Sequence, residues 1–126
     1  MKIVTSNNTP QAIGPYSHAI ISGNLVFCSG QTPLNPITMT IEGVTITEQT
    51  LLVLQNLETV LKAAGTNRNH VLKTSVFLKN FADFEKMNKA YEQFFGEHKP
   101  ARTTVEVSRL PKDALVEIEC VAEVKS

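Results

Sequence analysis

The chain has 126 residues, 42% apolar and 19% charged, with twelve basic side chains balancing twelve acidic ones. That composition is ordinarily globular, with room for one core and not two, so a single domain over 1–126 is expected. Zero formal net charge argues against a strong nonspecific grip on nucleic acid. No stretch approaches the roughly 18 apolar residues of a membrane span.

The first residues, Met1 to Asn8, carry neither an apolar leader core nor an arginine-rich pattern, and a cytoplasmic location is the expectation. Lys2 to Thr5, Ser17 to Ile21 and Asn24 to Cys28 read as three short strands, the last two joined by a tight turn at Gly23-Asn24. Thr32 to Val44 contains Pro33, Pro36 and Gly43 and reads as a loop. From Thr45 the period changes to helical. Thr45 with Glu48 forms a capping box, and Ile46, Val53, Leu54, Leu57, Val60, Leu61 and Ala64 follow before the stop signal of Gly65.

His70 to Leu78 is a β-branched, apolar strand. Asn80 or Asp83 caps a second helix with Phe81, Phe84, Met87, Tyr91 and Phe94 or Phe95 on one face, ending near Gly96. Two final strands cover about Thr103 to Ser108 and Leu115 to Val124, the last alternating Val116, Ile118, Cys120 and Ala122 with Glu117, Glu119, Val121 and Glu123. The order βββαβαββ predicts an α+β layer with both helices on one sheet face. Val105 and Val121 make the other face less than fully polar, which points to oligomerisation. Cys28 and Cys120 each sit in an apolar strand run, so buried reduced thiols are expected rather than a disulfide.

The chemistry-bearing residues are few. His18, His70 and His98 have no metal-ligand spacing, and there is no phosphate-binding glycine loop or nucleophile elbow. A Cys28–His18 nucleophile pair is the only covalent option, against the usual core role of a strand cysteine. Arg102 lies just behind Pro100, and its planar fork fits a carboxylate bidentately. Glu117 supplies a group able to orient a water. Tyr16, Ser29 and Gly30 each have an ordinary turn or packing explanation when taken alone.

In combination they mean more. Gly14-Pro15-Tyr16, Ser29-Gly30-Gln31, Asn88-Lys89-Ala90-Tyr91, Pro100-Ala101-Arg102, Val105-Glu106-Val107, Arg109-Leu110-Pro111-Lys112-Asp113 and Val116-Glu117-Ile118-Glu119 stand in the order of one family. Over essentially its whole length the chain resembles the RidA (YjgF) family of reactive-intermediate deaminases. The resemblance implies a chorismate-mutase-like α+β fold, a homotrimer with clefts between subunits, and no metal or cofactor. It implies hydrolysis of 2-imino acids, such as 2-iminobutanoate and 2-iminopropanoate, to 2-keto acids and ammonia.

On that resemblance Arg102 clamps the substrate carboxylate, aided by the backbone N–H groups of Gly30 and Thr104. Glu117 positions water and relays a proton, Tyr16 and Ser29 line the pocket, and Asn88 stands at its edge. Many family members have Ser-Cys where this chain has Thr103-Thr104, which removes the thiol and reshapes the pocket. If the last two strands formed a hairpin about Lys112, Arg102 and Glu117 would lie about 20 Å apart. The family fold places another strand between them, and the two residues are expected to meet across a subunit boundary. Two other readings stand beside the deaminase: an endoribonuclease or translation inhibitor, which needs a basic groove, and a noncatalytic module that binds a small carboxylate.

Overall fold

The computed structural model describes residues 1–124. Three strands come first, β1 (Lys2–Val4), β2 (Ala19–Ser22) and β3 (Leu25–Gln31), followed by helix α1 (Ile46–Ala63). Then come β4 (Val71–Leu78), α2 (Phe84–Phe95), β5 (Ala101–Glu106) and β6 (Val116–Glu123). They form one six-stranded sheet in the order β1-β2-β3-β6-β4-β5. Every neighbouring pair is antiparallel except β4 and β5, which run parallel and are joined by α2.

The expected order of elements is the observed one, with shifted edges. β5 begins at Ala101, two residues before the expected Thr103, so Arg102 belongs to the strand proper. The hairpin about Lys112 does not form. β4 lies between β5 and β6, because the α2 crossover carries β5 to the far edge. Phe81 sits in a short 3-10 turn ahead of α2 and stacks on Phe84 at 4.9 Å rather than continuing the helix face.

α1 starts where its sequence specifies. The Thr45 side chain accepts from the Glu48 N–H, and Glu48 Oε1 accepts from the Thr45 N–H at 3.1 Å, satisfying two otherwise unpaired donors. Its inward residues Val53, Leu54, Leu57, Val60 and Leu61 are buried against Val26, Val116, Ile118 and Ala122 of β3 and β6. Met87, Tyr91 and Phe95 of α2 join the same core with Val76 and Leu78 of β4. Both helices therefore cover one sheet face. On the other face Phe27 is 46% exposed and Val105 40%, with Glu117, Glu119 and Val121 between them in the strand order.

Two polar fixtures hold the long loop after β3 in place. Asn56 Nδ2 donates to the carbonyls of Thr32 and Leu34, and Gln49 Nε2 donates to the carbonyl of Gly43. Gln49 also accepts from the Leu115 N–H with its Oε1, tying that loop to the entry of β6.

Candidate functional site

The sequence-predicted residues fall into two groups on opposite faces of the sheet. Tyr16, Ser29, Gly30 and Glu117 line one cavity of about 520 Å³, together with Glu119, Lys112, Gln31 and His18. Arg102 and Asn88 line a second, of about 530 Å³, on the helix side. Thr104 points the same way as Arg102, since residues two apart on a strand share a face.

In the first cavity, Ser29 and Gly30 occupy an irregularity where β3 changes register against β6. A bulge there re-aims the strand next to the pocket. Ser29 Oγ donates to the Ser17 carbonyl at 2.6 Å, and its N–H donates to the His18 carbonyl at 2.9 Å. Gly30 permits a close approach: the carboxylate of Glu117 rests against it, where a Cβ would overlap Glu117 Oε2 and displace that carboxylate. Burial pushes the Glu117 carboxyl above the ordinary carboxylate range, and the like charge of Glu119 adds to the effect. Glu117 thus keeps its proton to higher pH than a free side chain, which suits a group that takes and returns one.

His18 is not part of a nucleophile pair. Its Nδ1 accepts from the Ser6 N–H at 3.0 Å and its Nε2 donates to the Pro10 carbonyl at 2.9 Å, so both nitrogens hold the N-terminal loop. Tyr16 is exposed, and its hydroxyl accepts from the Ile13 N–H at 3.4 Å. Lys112 closes the rim. In a left-handed conformation (φ 54°), it donates Nζ to the Met39 carbonyl at 2.9 Å and links the loop before β6 to the loop after β3.

The second cavity is built on Arg102. Its in-register neighbour on β4 is Thr74, whose hydroxyl lies 2.7 Å from that of Tyr91 on α2. The Arg102 guanidinium rests over the ring of Tyr91 at 4.8 Å and near that of Phe84 at 5.6 Å. Burial raises the Tyr91 hydroxyl above its usual range, while the Thr74 hydrogen bond and the Arg102 charge pull it down. The Arg102 side chain has no ion pair and no hydrogen bond among the described residues. Asn88 Oδ1 and Thr104 Oγ1 are likewise buried without a partner among the described residues. A half-buried guanidinium with its fork unused and floored by aromatic rings has the chemistry to accept a planar anion such as a carboxylate.

Within one chain, then, Gly30 does not stand beside Arg102 but beside Glu117. Sequence reasoning also missed three contributors. Phe84 and Tyr91 read as core by their helical spacing, and only the fold shows that they floor the guanidinium. Lys112 stood within the Arg109-Leu110-Pro111-Lys112-Asp113 segment without a role of its own.

The fold and its two cavities define a small α+β domain with an unpaired arginine side chain on the helix side of the sheet and a proton-retaining glutamate on the other. A family model described as endoribonuclease L-PSP matches residues 6–124, and the chain belongs to that family, the YjgF/RidA family. A RutC family protein of Pyrococcus horikoshii is 50% identical over 121 residues, covering 96% of each chain. The 2-iminobutanoate/2-iminopropanoate deaminase of Escherichia coli K12 is 42% identical over 124 residues, again covering 96% of each. The crystal structure of E. coli TdcF with bound serine superposes with a TM-score of 0.93 at 40% identity, covering 100% of both chains.

Proposed function

We propose that the chain is a hydrolytic deaminase that converts 2-imino acids, with 2-iminobutanoate and 2-iminopropanoate as the type substrates, to 2-keto acids and ammonia. The observation that carries this reading is the unpaired Arg102 guanidinium over Tyr91, lining a pocket of about 530 Å³. The named deaminase relative and the serine bound to a structural neighbour agree with a small amino-acid-like ligand.

Arg102 takes the carboxylate in its fork. Water then adds to the electrophilic C=N carbon while Glu117 receives one of its protons. The resulting carbinolamine takes the same proton on its nitrogen, the C–N bond breaks as the C=O bond forms, and the hydroxyl proton passes to the departing ammonia, leaving a keto acid and ammonium. General base assistance of this kind contributes about 10²–10⁴-fold. A protonated imine is already a strong electrophile, so holding it beside an oriented water supplies much of the rest. Ser29 and Tyr16 orient that water, and Asn88 lies at the carboxylate end.

Because the two half-sites open on opposite faces, the reading requires a homotrimer, or another closed ring. In it the Glu117 pocket of one subunit faces the Arg102 pocket of the next. The reaction runs in the cytoplasm, where imines released by dehydratases arise.

The test supplies 2-iminobutanoate from a threonine dehydratase and traps what remains with semicarbazide. Wild type lowers the trapped imine, and Arg102→Ala returns it to the level of spontaneous hydrolysis. Equal effects of both proteins remove the reading. The family description and the lysines Lys89 and Lys99 beside Arg102 support a second reading, cleavage of RNA. It predicts RNA cleavage that Glu117→Gln abolishes.

A further inference from the structure

Cys28 and Cys120 are directly opposed on β3 and β6. Both are free and buried, 7% and 4% exposed, on the helix side of the sheet. Their pair belongs to the hydrogen-bonded set: the Val124 N–H donates to the Asn24 carbonyl at 2.8 Å, and Cys120–Cys28 follows two alternations further along the ladder. Opposed residues of that set have Cα atoms about 5.5 Å apart. Disulfides span about 4.4–6.8 Å between Cα atoms, which this pair meets. They also need Cβ atoms about 3.5–4.5 Å apart, closer than a hydrogen-bonded pair holds them, so closure draws β3 and β6 together locally and leaves the bond strained.

The side chains also face each other. The neighbouring Cys28 thiol, and then burial, push the Cys120 thiol well above the ordinary cysteine range. Their neighbours along the same cross-strand row are the small Ala19 on β2 and Thr74 on β4. Beyond Thr74 the row ends at Arg102.

We propose that Cys28 and Cys120 form a latent cross-strand disulfide that closes when the chain meets a hydroperoxide. The first thiol, as its thiolate, attacks the peroxide: an S–O bond forms, the O–O bond breaks, and water leaves after protonation. The second sulfur then attacks the resulting sulfenic acid, the S–S bond forms, and a second water leaves. Two thiols and one hydrogen peroxide thus yield one disulfide and two waters, with sulfur oxidised and peroxide oxygen reduced. Burial and the protonated state of Cys120 make the reaction slower than that of an exposed thiol. Once made, the bond ties β3 to β6 directly beside the Ser29–Gly30 irregularity and three residues from Glu117. The strain left in it keeps the bond readily reducible.

This inference does not depend on the proposed deaminase activity, and its test reads chemistry rather than turnover. Folded wild-type protein is treated with excess hydrogen peroxide, then quenched, alkylated and weighed intact. The expected product is a monomeric chain about 2 Da lighter, closed to iodoacetamide at both cysteines and restored by dithiothreitol. A tryptic digest then joins the peptides holding Cys28 and Cys120, while Cys28→Ser shows no such loss of mass. The proposal is overturned by oxygen adducts on either cysteine without the lighter product. It is overturned equally by a disulfide between chains, or by two thiols that stay alkylatable. The wild-type masses decide the matter even if the variant does not fold.

Discussion

Arg102 and Glu117 leave one sheet on opposite faces. Arg102 is in register with the buried Thr74 and lies over rings of α2, whereas Glu117 is in register with Phe77 on the uncovered side. Three residues along the strands and two strand spacings across place their Cα atoms about 14 Å apart, before the sheet itself intervenes. No rotamer of either side chain brings both to one small ligand within a single chain.

The Arg102 pocket should discriminate between a charge and a fork. Arg102→Lys keeps the charge but loses the bidentate geometry, and a charge-assisted hydrogen bond is worth about 1.5–3 kcal/mol. We expect kcat/KM for imine hydrolysis to fall about 10–100-fold, mostly through KM, with circular dichroism and Tm unchanged. Arg102→Ala should fall at least as far.

Gly30→Ala tests the close approach to Glu117. The added Cβ meets the end of a flexible side chain, so the carboxylate moves aside at little cost in stability. Activity should drop about tenfold or more, in line with loss of positioned base catalysis, while Tm stays near wild type.

The pH behaviour follows from Glu117. Its folded-state pKa is raised, first by burial and then by Glu119. The folded chain therefore holds this proton more tightly than the unfolded one. The associated stability is fully present below the unfolded carboxylate value and is lost as pH rises through the raised folded value. Urea unfolding of wild type and Glu117→Gln across that window should show the wild type losing ground with rising pH. Glu119→Gln removes a like charge and should lower the Glu117 pKa, read directly by ¹³C NMR of the side-chain carboxyl.

A separate prediction concerns the core. Glu58 is buried, with 4% of its side chain exposed, and its partner Arg68 holds it through Nε at 3.0 Å. Arg68 also donates to the Phe94 carbonyl at 2.8 Å and lies 3.9 Å over that ring. Arg68→Ala leaves a buried carboxylate unpaired, and denaturant unfolding should show a loss of about 3 kcal/mol. Glu58→Gln with Arg68→Met should recover most of it.

Local signals in the chain carried the elements well. The capping box at Thr45 and Glu48 and the alternation from Val116 to Glu123 both fold as their patterns dictate. Strand order was a different matter, because β4 enters between β5 and β6 through pairings that are distant in sequence. That insertion contradicts a simple hairpin at Lys112. It rested on family resemblance because no local pattern encodes it.

The site was legible as a set of residues and not as a geometry. Arg102 and Glu117 both read as polar residues on strands, and their faces depend on the register of β4 with each neighbour. Gly30 looked like a turn glycine until Glu117 was found against it.

The central claim is that the working site takes Arg102 from one chain and Glu117 from another. Mixing decides it. Arg102→Ala and Glu117→Gln chains, each inactive alone, are unfolded together in equal amounts and refolded. If neighbouring subunits share the site, random assembly gives about a quarter of the interfaces one intact arginine and one intact glutamate. Imine hydrolysis should then recover to about a quarter of wild type. A refolded mixture as inactive as its two components would contradict the account.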